Sequence, residues 1–104
     1  MSRKPSTTTS GYFFTFFEVE AVWQKAQVYP GYNPRVYRKD RCGAWMKRSA
    51  YGTTGDYGWE IDHMRPVSRR GSDELDNLQP LHWRNNRGKG EDYPQWYCTV
   101  TPRV

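Results

Sequence analysis

Long apolar runs are what this 104-residue chain most conspicuously lacks: hydrophobic residues make up 36% of it, and its mean hydropathy is −1.03. No stretch approaches the roughly 20 apolar residues of a membrane-spanning helix, so no membrane partner is expected. The opening residues MSRKPSTTTS lack the apolar centre of a secretory signal, and a cytoplasmic location with reduced thiols is the expectation. Cysteine is equally sparse. Cys42 and Cys98 stand far apart with no CxxC pair, which argues against a zinc framework and against a disulfide-dense scaffold. Internal repeats are absent too, and the length suits one domain with a modest core. Low hydropathy alone would lean toward disorder. The counterweight is five Trp, eight Tyr and four Phe, because a few large rings can anchor a small core.

What the chain has in excess is positive charge. A net charge of +5 and a pI near 9.4 suggest an anionic partner, nucleic acid first. Arg35, Arg38, Lys39, Arg41, Lys47 and Arg48 crowd a segment holding one acid, Asp40, and Tyr37, Trp45 and Tyr51 are interleaved with them. That mixture suits phosphate contacts beside stacking surfaces.

Along the chain, residues 1–10 lack periodicity and are expected to be a disordered tail. The aromatic run GYFFTFF (11–17) is a strand or a helix lead-in, and EVEAVWQKAQ (18–27) reads as a helix. Val19, Val22, Trp23 and Ala26 share one face of it, and Trp23 is expected in the core. Pro30-Gly31 and Asn33-Pro34 are turns, and YGTTGDYG (51–58) is a loop by composition. Trp59–His63 and Leu78–Leu81 read as strands, joined by a long connection that Pro66 and Gly71 punctuate. His82–Lys89 has helical spacing, with Gly90 as its stop. The aromatic C-terminus is expected to pack back on the core. The fold class is α+β, one domain over 11–104 with its functional core at about 57–90.

The stretch WEIDHMRPVSRRGSDELDNLQPLHWRNNRGKG (Trp59–Gly90) carries the chemistry. It resembles the HNH endonuclease motif, whose fold is the ββα-metal unit, and the likeness spans roughly Arg38 to Asp92. The family pattern is Asp-His closing the first strand, Asn opening the second, and His or Asn inside the helix. Those positions are Asp62-His63, Asn77 and Asn86 here. The resemblance implies a metal-dependent endonuclease acting on DNA, leaving 5′-phosphate and 3′-hydroxyl ends. Hydrolysing a phosphodiester requires an activated water and relief of charge on the phosphate and leaving oxygen. A divalent ion supplies that relief, and an imidazole is the natural base near neutral pH.

His63 is the candidate base and Asp62 the first metal ligand. Successive strand residues point to opposite faces, so both can serve one site only if the strand ends or bends there. Registering the helix from Asn77-Leu78 selects Asn86 over Asn85 as the second ligand, through its amide oxygen. A carboxylate with a neutral amide suits Mg²⁺ or Mn²⁺ that keeps several waters. The resemblance casts Asn77 as the residue that steadies the loop and orients the imidazole. Lys89, Arg87 and Arg84 are candidate phosphate contacts, alongside Arg38, Lys39 and Arg41. Many relatives bind structural zinc where this chain has Cys42, Trp45, His82 and Asn85; no structural zinc is expected here, with aromatic packing by Trp45 and Trp83 in its place. His82 is read as structural.

Two other readings stand beside this one: a nucleic-acid-binding module without turnover, and an RNA-directed nuclease. A domain this small has little room for base readout, which hints at relaxed specificity or a protein partner. Its oligomeric state is not legible.

Overall fold

The computed structural model describes residues 3–102. Their elements follow in the order α1 (Phe16–Trp23), β1 (Tyr37–Lys39), β2 (Trp45–Lys47), β3 (Trp59–His63), β4 (Leu78–His82) and α2 (Trp83–Lys89). Two antiparallel pairs, β1–β2 and β3–β4, and two helices make an α+β fold. Its ββα core is β3–β4–α2, and α1 is the added N-terminal helix.

α1 begins earlier than the apolar periodicity suggests because Thr15 caps it. The Thr15 hydroxyl accepts from the Glu18 amide and the Glu18 carboxylate accepts from the Thr15 amide, a reciprocal capping box. The helix stops at Trp23, short of the expected Gln27. The Arg38 guanidinium claims the carbonyls of Gln24 at 3.1 Å and Ala26 at 3.2 Å. Gln27 meanwhile exchanges two backbone hydrogen bonds with Lys39, at 2.8 and 2.9 Å. The basic segment is therefore a hairpin packed on the end of α1.

The core gathers where the elements cross. The Trp23 and Trp59 rings lie 5.2 Å apart between centroids, both fully buried, with Val19, Val22, Met46, Ile61 and Leu78 around them. Each indole nitrogen finds a carbonyl, Pro34 for Trp23 and Arg48 for Trp59, which offsets the cost of burying a polar N–H. In the β3–β4 ladder Asp62 pairs with Gln79 and His63 with Leu78. β4 runs one residue beyond expectation, so His82 ends the strand and caps α2.

Both chain ends depart from expectation. The tail, expected to be disordered over 1–10, is packed where it is described; Met1 and Ser2 lie outside the described residues. Ser6 and Thr7 are buried, and the Ser6 hydroxyl accepts from the Ile61 amide at 3.0 Å. The physical reason is the free edge of β3, whose backbone donors need acceptors once buried. At the other end, Cys42 and Cys98 form a disulfide across 56 residues, which corrects the expectation of reduced thiols. The C-terminal residues are held by that bond and by backbone contacts rather than by aromatic burial: Tyr97 is 93% exposed. Gly88 permits their approach, since a Cβ there would meet the Thr99 hydroxyl at 2.1 Å.

Candidate active site

Alternation along β3 sorts its side chains. Trp59 and Ile61 enter the core, and the His63 ring lies 6.1 Å from that of Phe14. Glu60 and Asp62 take the other face and meet α2. β3 ends at His63, and Asp62 and His63 both line one cavity of about 520 Å³. The cavity wall runs from N-terminal residues 3–7, past the end of β3, to Asn86 and Arg87 of α2. The three groups singled out by the sequence, Asp62, His63 and Asn86, are therefore brought together.

Asp62 is almost wholly buried. Its two oxygens accept from Gln79 at 2.9 Å and from the Lys89 ammonium at 3.3 Å. Burial pushes its carboxyl above the usual range; the Gln79 bond, the nearby Lys89 charge and His63 work against that rise. Lys89, expected to reach a phosphate, is 2% exposed and also donates to the His63 carbonyl at 3.2 Å. A buried ammonium needs a charge partner, and Asp62 is that partner.

Asn86 donates its amide nitrogen to Glu60 at 2.8 Å. That bond fixes the amide so that its oxygen is left without a donor among the described residues. Arg87 grips the other oxygen of Glu60, also at 2.8 Å. Asn85 differs. Its nitrogen donates to Asp40 and to the Val100 carbonyl, both at 3.0 Å, and its oxygen accepts from Thr99 and Val100 at 2.8 and 2.7 Å. All four of its hydrogen-bonding positions are used.

Among the described residues, no three His, Cys, Asp or Glu side chains cluster as metal ligands do. A two-donor set of the Asp62 carboxylate and the Asn86 amide oxygen, open to the cavity, still fits a hard cation that keeps most of its waters. The unused oxygen of Asn86 carries that fit.

Asn77 holds the connection between the strands. It accepts from the Arg65 amide at 2.9 Å and donates to the carbonyls of Arg65 and Ser72 at 3.1 and 2.8 Å. Gly71 sits in the same loop, where a Cβ would collide with the Arg65 carbonyl oxygen at 1.7 Å. Asn77 bonds the loop and does not touch the imidazole; it is Asp73 that bonds the imidazole, at 2.8 Å from Nε2. His82 is structural: its Nδ1 accepts from the Arg84 amide and its Nε2 bonds the Asp56 carbonyl. Asp40 ties this corner together, accepting from Cys42, Ala44, His82 and Asn85. At the four positions where relatives bind zinc, Cys42 is in the disulfide, His82 and Asn85 bond Asp40, and Trp45 packs on Tyr29, Tyr32 and Tyr37, while Trp83 stacks on His82.

The expected phosphate contacts divide. Arg38 is buried and committed to main-chain carbonyls, so it is structural. Lys39 lies over the Tyr29 and Trp45 rings at 4.0 and 4.8 Å. Arg41 and Arg84 are exposed and lean on Trp96 and Trp83. Of the six, Arg87 alone lines the cavity, which also carries Arg3 and Lys4. Those two were hidden by their distance in sequence. Glu60 had a readable signal, sharing a strand face with Asp62 two residues on. Asp40 had another, as the lone acid of a basic segment.

No curated protein and no solved structure matches the chain at a significant level. The family model for HNH endonucleases matches residues 40–92, more than half of the 104, and takes in β2, β3, β4 and α2 with every residue of the cavity that β3 and α2 supply. With the ββα arrangement and the Asp62, His63 and Asn86 convergence already seen, that match makes the chain a member of the HNH endonuclease family.

Proposed function

We propose that this chain is a divalent-metal-dependent endonuclease that hydrolyses DNA phosphodiester bonds. One observation carries the reading: Asp62, His63 and Asn86 face a common cavity large enough for a phosphodiester and its water. His63 takes the proton of the attacking water, the work an imidazole does well near neutral pH. Arg3, Lys4 and Arg87 on the same wall attract and orient the backbone phosphates. Asp62 and Asn86 hold the ion, Mg²⁺ or Mn²⁺ by the hardness of the donors; when bound, it relieves charge on the phosphate and on the leaving oxygen. Lys89 neutralises Asp62, and Glu60 pins the Asn86 amide nitrogen, which leaves the amide oxygen for the ion.

Nicking of supercoiled plasmid with Mg²⁺, with Mn²⁺ and with EDTA tests this. Cleavage is expected with either metal, abolished by EDTA, and reduced about 100- to 10,000-fold by His63→Ala with the circular dichroism spectrum unchanged. Metal-independent binding without nicks would establish the binding-module reading instead, and cleavage confined to RNA would move the substrate.

A further inference from the structure

We propose that Asp73, locked in place by Thr9, is the positioning residue for His63, fixing its ring proton on Nε2 and leaving Nδ1 as the proton acceptor. The effect on rate rests on the nuclease reading; the side-chain arrangement does not. Asp73 Oδ1 lies 2.8 Å from His63 Nε2. The carboxylate is itself held from the far side, by the Thr9 amide at 3.0 and 3.1 Å from its two oxygens and by the Thr9 hydroxyl at 2.8 Å from Oδ2. Burial works to raise the Asp73 carboxyl, but the bonds from His63 and Thr9 outweigh it and hold the group below the usual carboxylate range. An ionised carboxylate can only accept, so Nε2 must be the donor. Nδ1 then keeps its lone pair, and it has no hydrogen-bond partner among the described residues. Phe14 packs beside the ring at 6.1 Å and limits its swing.

The arrangement also explains Asn77. Its bonds go to Arg65 and Ser72, so it shapes the loop that presents Asp73 rather than touching the imidazole. Thr9 lies outside the residues 40–92 that match the family. The N-terminal segment is therefore part of the site: it anchors the group that orients the base.

Two measurements on the full chain decide the proposal. In ¹H–¹⁵N spectra of the wild type, the His63 Nε2–H proton should appear as a protected low-field resonance, with Nδ1 unprotonated. Asp73→Ala should abolish that resonance and Thr9→Val should weaken it. In nicking kinetics, Asp73→Ala should lower kcat about 10- to 100-fold, the range known for groups that orient a metal-bound histidine, with KM unchanged and the chain still folded at the assay temperature. Asp73→Asn, which preserves shape and an acceptor oxygen, should recover part of the loss and covers the case in which the alanine variant folds poorly. A His63 spectrum unaltered by Asp73→Ala, or carrying its proton on Nδ1, would overturn the proposal, as would an unchanged kcat in Asp73→Ala when the wild type cleaves. A wild type that cleaves nothing would remove the nuclease reading, while the spectra alone would still decide the dyad.

Discussion

Asn85 and Asn86 are neighbours on one short helix and do opposite work. Asn85 is fully buried, with both hydrogens and both lone pairs of its amide engaged by Asp40 and the C-terminal backbone. Asn86 lines the cavity and, among the described residues, engages its nitrogen with Glu60 while its oxygen has no donor. A buried amide with every position satisfied is a structural joint, because leaving any of them unpaired costs free energy. An amide with one end pinned and the other end open is built to meet something else. The surroundings repeat the contrast. The Asp40, Cys42 and Asn85 corner is closed by a disulfide and a dense set of hydrogen bonds, whereas the Asp62, His63 and Asn86 side opens onto about 520 Å³.

Substitutions on the two sides should separate cleanly. The largest effect is expected from Asn86→Ala: nicking should fall by about 100-fold or more, beyond the range for outer partners of a metal site, with melting temperature nearly unchanged. A variant that keeps its rate but melts early would reverse the contrast. Asn85→Ala should do the opposite. Stranding the Thr99 and Val100 amides and part of Asp40 should cost about 3 kcal/mol, or on the order of 10–20 °C in melting temperature for a domain this size. Its rate well below the melting temperature should remain wild-type. Removing the disulfide with Cys42→Ala and Cys98→Ala together should cost about 2–4 kcal/mol and leave nicking intact at low temperature; loss of nicking in that folded double variant would mean the two sides are coupled.

A smaller effect, about 1 kcal/mol, is expected for Thr15→Ala, which removes the cap of α1, read as a shift in the urea midpoint. The smallest concerns acid. Asp73 has its carboxyl held below the usual range, so its contribution to stability is full above the ordinary aspartate value of about 3.9 and is lost as pH falls through the lower folded value. The difference in melting temperature between wild type and Asp73→Asn should therefore shrink below about pH 4; a difference that persists there would mean the carboxylate's charge is not its source.

Where a signal was local, it was legible. The five residues Trp59–His63 form β3, since apolar and polar side chains alternate along that run between two turns, and Asp62, His63 and Asn86 line one cavity while Asn77 bonds the loop instead. What was hidden was carried by contacts far apart in sequence. Nothing in the residues near Cys42 points to Cys98, and the Thr9 bonds to Asp73 join positions 64 residues apart. Arg38 and Lys89 misled for a different reason: a charge reading assigns every cation to solvent. For Lys89 a correction was available, because it lies four residues after Asn85 and so shares its helix face, and both are buried. Arg87 falls on another face and reaches the cavity.

The most direct test is anomalous density from a crystal soaked in Mn²⁺. A single peak between the Asp62 carboxylate and the Asn86 amide oxygen, lost in Asn86→Ala and kept in Asn85→Ala, is the predicted result. A peak elsewhere, or none in a crystal of active protein, would contradict it.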